Sequence, residues 1–205
     1  MRKAGAFLLM LLFSFTLLYA QEEEPPSEGN GDWDYYAPDS YTFGDQTFTI
    51  SLGAMFPTVF FNDGEYIKNH NFNPPVGGAG SLSYNYFFTP NIFLGGELSG
   101  VFMPTLGNNM YYAILLGART GYQFYFWRLE FPVNITLGMV WHRYLNFKNY
   151  GFYIKGGGAA YFRFNSEWSF GVSSNWHWLP QWTNERSKNV DGNMIDILLS
   201  ARYHF

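Results

Sequence analysis

The sequence predicts an all-β fold, a closed eight-stranded antiparallel transmembrane β-barrel of up-and-down meander type. Three observations predict it: one long strict alternation, the composition, and two bands of outward aromatics. From Arg128 to Tyr144 (RLEFPVNITLGMVWHRY) the odd positions are Leu129, Phe131, Val133, Ile135, Leu137, Met139 and Trp141, and the even positions are mostly polar or small. Successive side chains of a strand point to opposite faces, so this is a strand's period. The run is longer than the ~9–11 residues that cross a bilayer at a tilt. Its polar set, including Arg128, Glu130, Asn134, Thr136 and His142, suits an ion-paired interior and leaves the apolar set for lipid.

Composition points the same way. Aromatics reach 22% and glycine numbers 22, while charged residues are 14%, against roughly 25% on ordinary soluble chains. Mean hydropathy is nevertheless only −0.15. A helical membrane protein would be apolar throughout, whereas a barrel alternates lipid-facing and lumen-facing residues and averages near neutral. The net charge of −4 brings no basic patch, which speaks against a nucleic-acid partner. With no cysteine, disulfides, thiolate metal sites and a lipidated processing cysteine are excluded.

Residues 1–20 read as a secretory signal peptide: Arg2 and Lys3, an apolar run from Ala6 to Leu18, and Ala20 before Gln21, where cleavage is expected. Residues 21–45 are acidic, rich in Pro, Gly and Asp and without alternation, and are expected to form a flexible periplasmic segment. Residues 46–205 are the barrel domain. Eight alternating segments follow: Thr47 to Phe56, Val76 to Phe88, Ile92 to Met103, Tyr111 to Phe124, Arg128 to Tyr144, Phe152 to Phe164, Trp168 to Trp178, and Met194 to Phe205. The connections Thr89 to Asn91, Tyr125 to Trp127 and Asn165 to Glu167 are tight. Pro104 to Met110 and Leu145 to Gly151 are medium, and Pro57 to Pro75 and Leu179 to Asn193 are long. Short turns at one end and longer loops at the other are the habit of bacterial outer-membrane barrels. An even strand number lets the sheet close without an edge.

The lipid-facing parity carries Phe88, Phe131, Phe164, Trp168, Tyr203 and Phe205 near the tight turns, and Trp141 and Trp176 near the long loops, with aliphatics such as Leu98, Ile135 and Leu199 between. Two aromatic girdles around an aliphatic band match a bilayer. The other parity carries Glu97, Arg119, Gln123, Glu130, Lys155, Arg163, Asn175, His177, Asp196, Arg202 and His204. Its three acids face four bases, and mutual pairing is expected, since a buried charge is costly without a partner. Glycine is frequent in the same strands, at Gly95, Gly96, Gly117 and Gly156 to Gly158, where it eases curvature and makes room for aromatics.

The hairpin LSYNYFFTPNIFLGGELSG, Leu82 to Gly100, resembles a hairpin of OmpW-type barrels and of the related OmpA and OmpX types. The end alternates through Ile195, Ile197, Leu199 and Ala201 to Tyr203 and Phe205, which is similar to the C-terminal signal read by the barrel-assembly machinery. The resemblance implies an integral outer-membrane location, porin-like passage of small or hydrophobic solutes through a narrow lumen, and the assembly and periplasmic chaperone machinery as partners.

An eight-stranded barrel is just wide enough for side chains to fill. Glu97, Arg119, Glu130, Lys155, Arg163, Asp196 and Arg202 are therefore candidates either to line and gate a narrow channel or to plug a structural envelope barrel. A surface adhesin acting through loops 57–75 and 179–193 is the alternative, with a surface partner. A lipid-modifying enzyme ranks third and is not expected. A lipid-cleaving barrel needs a His with a Ser two residues on, but His142 is followed by Arg143 and Tyr144, and His177 by Trp178 and Leu179. The histidines are too scattered for a metal site, and no cofactor is expected.

Overall fold

The computed structural model describes residues 41–62, 65–66, 76–104, 110–144, 147–181 and 190–205. The strands are β1 (Gln46–Asn62), β2 (Glu65–Tyr66), β3 (Gly77–Phe87), β4 (Ile92–Pro104), β5 (Met110–Phe126), β6 (Leu129–Tyr144), β7 (Phe147–Arg163), β8 (Trp168–Gln181) and β9 (Val190–His204). β2 is a two-residue strand folded back on the end of β1. The other eight pair antiparallel with their sequence neighbours, and β1 pairs with β9, so the sheet closes. Every stave thus has a hydrogen-bonded neighbour on both sides, as an apolar solvent demands.

The register fixes the shape. Following paired residues once around, from Gln46 through Tyr86, Leu94, Thr120, Ile135, Gly156, Trp176 and Ile195, returns to β1 at Phe56, ten residues further along. That stagger across eight strands corresponds to a tilt of about 41° and a radius of about 8 Å to the backbone. At that tilt the ten residue steps from Phe131 to Trp141 rise about 25 Å, the height of an outer-membrane apolar band.

Three connections are tight: 88–91, the turn Trp127–Arg128, and 164–167. Trp127 adopts φ 55°, a conformation uncommon for a bulky side chain. Where the sequence places loops at the opposite end, the staves run on. β1 continues past Pro57 to Asn62 against Val190–Met194 of β9, so much of the loop expected over 57–75 is strand, and likewise 179–181 and 190–193 of the loop expected over 179–193. Two prolines sit in these extensions: the β1–β9 register shifts between Pro57 and Val59, and Pro180 lies past the end of the β7–β8 ladder at Trp178. The rest of those loops, 67–75 and 182–189, lies outside the described residues.

Ahead of β1, Tyr41–Asp45 form a turn bonded to β3. Thr42 N donates to Asp45 Oδ2 at 2.7 Å, Gly44 N to the Phe87 carbonyl at 3.0 Å, and Phe87 N to the Asp45 carbonyl at 2.9 Å. Gly44 at φ 102° makes the bend that a side chain would resist. The rest of 1–45, including the expected signal peptide, lies outside the described residues.

The two parities separate cleanly. Phe88, Phe131, Trp141, Phe164, Trp168 and Trp176 face outward, with Leu116, Met139 and Leu199 between them, all exposed on the barrel's outer wall. Tyr203 and Phe205 also lie outward and meet edge-to-face at 4.9 Å.

Candidate functional site

The lumen is built in three layers. Nearest the tight turns, Phe87 and Phe93 face inward from β3 and β4, and Tyr41 enters from outside the strands to lie flat on Phe87, centroids 3.9 Å apart. The Tyr41 hydroxyl donates to Glu130 Oε2 at 3.1 Å and lies 2.7 Å from His204 Nδ1, while His204 Nε2 lies 2.7 Å from Ser169 Oγ. With the phenolic proton given to Glu130, His204 Nδ1–H donates to the phenol and Nε2 accepts from Ser169, which satisfies both ring nitrogens. Burial holds the Tyr41 phenol above the usual phenolic range, so it stays a donor. Glu130 also takes Arg202 at 3.0 Å and Arg163 at 3.6 Å, and Arg202 stacks over the Tyr161 ring at 3.8 Å.

The middle layer is a second ionic group. Glu97 on β4 takes Lys155 from β7 at 2.6 Å, Arg119 from β5 at 3.4 Å and the Ser99 hydroxyl at 2.6 Å. Lys155 lies 3.7 Å from Asp196, which accepts from Asn175 at 2.8 Å and sits 2.7 Å from His177 Nε2. Gly117 makes space here: a Cβ on it would meet the Tyr153 hydroxyl at 2.5 Å.

Toward the long-loop end the interior turns apolar, with Met55, Val101, Met103, Leu115, Val140, Tyr153, Met194 and Leu198 all buried. The alternation of the sequence, read as polar inside and apolar outside, does not anticipate this layer. The signal lay where alternation lapses, at Leu115–Leu116, Met139–Val140–Trp141 and Leu198–Leu199, where one member of each run must point inward.

All seven candidate lumen residues face inward and are gathered into the two ionic groups: Glu97, Arg119, Lys155 and Asp196 in the middle, Glu130, Arg163 and Arg202 near the tight turns. Sequence reasoning missed Tyr41, which precedes the first strand and carries no periodic signal. It also missed a Ser–His contact, because Ser169 lies 35 residues from His204 along the chain. Ser169 is wholly buried, and a phenol stands where a hydrolase places its carboxylate against the imidazole.

Closed antiparallel staves, an apolar outer wall with aromatic bands and ionic groups on the inner face define the class: a small eight-stranded outer-membrane β-barrel. A protein-family model matches residues 25–203, and the chain belongs to that family. An uncharacterized protein of Treponema pallidum (strain Nichols) is 29% identical over 129 residues, covering 63% of this chain and 59% of the relative's length. Among solved structures, the Neisserial surface protein A is similar at a TM-score of 0.57 with 9% identity, over 77% of this chain and 97% of that one. The Pseudomonas aeruginosa outer membrane protein OprG gives 0.42 with 10% identity, over 81% of this chain and 98% of that one. The first likeness shows the fold, which supports an outer-membrane location and a lipid environment; the second carries no argument.

Proposed function

We propose that the protein is a structural envelope barrel whose lumen is closed by its own side chains. The observation that carries this is bonding across the lumen. Glu97 on β4 reaches Lys155 on β7, and Glu130 on β6 reaches Arg202 on β9; each pair lies three staves apart in a ring of eight. Such bonds tie nearly opposite walls where an aqueous path would run. The reading takes no catalytic role, and the burial of Ser169 supports that. Its partners are membrane lipid and, through Tyr203 and Phe205, the barrel-assembly machinery with its periplasmic chaperones. The test is conductance of the refolded mature protein in planar bilayers beside Glu97→Ala and Arg119→Ala. A silent wild type, with folding confirmed by heat-modifiable migration, is expected. Discrete wild-type openings altered by either substitution would favour a charge-gated channel instead.

A second reading has one observation in its favour. The apolar upper layer is rich in methionine, with Met55, Met103 and Met194, and thioether side chains adapt to irregular apolar guests. It would admit a small hydrophobic solute from the long-loop end, while the ions beneath bar onward passage. Saturable binding of a hydrophobic fluorophore, lost in Leu115→Asn, is the expected sign; no saturation would remove this reading.

A further inference from the structure

Resting on the closed-lumen reading, a more specific device is present at the tight-turn mouth. Tyr41 belongs to no strand, yet it is 3% exposed. Its surroundings match a phenol on every side. Phe87 stacks on one face at 3.9 Å, the Arg163 guanidinium lies 5.4 Å from the ring centroid, and Tyr125 tilts against it at 6.0 Å. The hydroxyl finds a carboxylate oxygen and an imidazole nitrogen within hydrogen-bond reach. Aromatic stacking, cation–π attraction and a charge-assisted hydrogen bond each favour this ring over an aliphatic group of equal size.

The attachment is of a different kind from the barrel's. Each stave is held by two ladders, whereas the Tyr41–Asp45 turn is joined to the barrel by two backbone bonds to Phe87, by the Tyr41 side chain and by the Phe43 ring edge-on to Tyr86 at 6.0 Å. Segments with few backbone bonds to their surroundings open at lower free energy than the global fold. Above Tyr41, on the lumen side, stand Arg202 and Glu130, and beside them Thr49, which faces inward and pairs with Arg202 across the β1–β9 seam.

We propose that Tyr41 is a tethered stopper seated in a phenol-binding site, and that leaving this seat admits water and small solutes to the lower lumen as far as the Glu97–Lys155 layer. The seat is specific for a phenolic ring, so a free phenol can replace the tethered one.

The native chain has no cysteine, so Thr49→Cys provides a single reporter thiol. Its reaction with a small sulfonate-bearing methanethiosulfonate is measured on the full refolded barrel, with the native Tyr41 and with Tyr41→Phe, Tyr41→Leu and Tyr41→Ala, each checked by heat-modifiable migration. The expected result is slow labelling with Tyr41, a faster rate in Tyr41→Phe, which keeps the stacked ring but loses the bonds to Glu130 and His204, and the fastest labelling, at least tenfold above that with Tyr41, in Tyr41→Ala. Millimolar p-cresol should slow the alanine variant again, while cyclohexanol should not. If Tyr41→Ala does not refold, Tyr41→Leu takes its place, with the ring replaced by an aliphatic group. Equal rates with and without the ring would overturn the stopper, and a rise that p-cresol does not suppress would overturn the phenol seat. A conducting wild type would overturn the closed-lumen reading, and it is read in a separate assay from thiol reactivity.

Discussion

Removing the charge of Glu97 tests what the middle layer contributes. Its carboxylate takes Lys155 at 2.6 Å, Ser99 at 2.6 Å and Arg119 at 3.4 Å, and it is 2% exposed. Glu97→Gln keeps the shape and leaves two buried cations facing a neutral amide. Removing one partner of a buried pair costs about 3–5 kcal/mol, because the surviving charge stays desolvated without compensation. Lys155→Met alone should cost a similar amount, since Arg119 at 3.4 Å is then the one cation left on Glu97, beside the neutral Ser99 hydroxyl. The double variant restores the net charge but still leaves Arg119 facing the amide, so it should cost about as much as either single variant, about 3–5 kcal/mol, and not their sum. The cycle therefore predicts a coupling of at least about 2 kcal/mol. Urea unfolding of the barrel in short-chain phosphatidylcholine vesicles, followed by tryptophan fluorescence and by heat-modifiable migration, measures it. Additive single effects of about 1 kcal/mol or less would refute the reasoning, since they would mean that hydrated ions line the lumen and do not tie its walls.

Three further outcomes are expected. Gly117→Ala should destabilise by about 1–3 kcal/mol, since the added Cβ would sit 2.5 Å from the Tyr153 hydroxyl and 2.7 Å from the Leu137 carbonyl; Gly100→Ala, with nothing within 4 Å, should stay within about 0.5 kcal/mol in the same unfolding assay. Tyr41→Phe should cost about 1–3 kcal/mol by leaving the buried Glu130 and His204 short of a partner, measurable by the same denaturation. Deleting Phe205 should lower the heat-modifiable fraction in cells while leaving detergent refolding nearly intact, which separates an assembly signal from a stabilising contact; equal losses in both would refute the signal.

The wall was legible in the sequence because a membrane imposes one rule along each stave. Leu129 through Trp141 must alternate with Glu130 through His142 whatever the neighbours are, and one run sufficed to assign the faces. The ionic partners were legible only as a set. Three acids and four bases on one parity imply pairing, but that Glu97 takes Lys155 and Glu130 takes Arg202 follows from a ten-residue stagger that no single strand records. Strand ends were read short at the long-loop end, yet Pro57 and Pro180 both lie inside strands, the first beside a register shift and the second past the end of the β7–β8 ladder. Tyr41 was invisible for a different reason: periodicity reports elements, and Tyr41 lies in none.

The seam between β1 and β9 joins Thr47 to His204 at one end and Asn62 to Val190 at the other, uniting the first and last staves of the chain. Every other seam joins neighbours in sequence and can form by local hairpin pairing, on the order of microseconds. This one brings together residues some 150 apart, and contacts of such separation are the slow ones. Until it zips, the sheet is an open curved ribbon with two long unsatisfied edges, a template for pairing with any other nascent chain. Time spent in that state, more than the stability of the finished barrel, sets its exposure to pairing with the wrong edge.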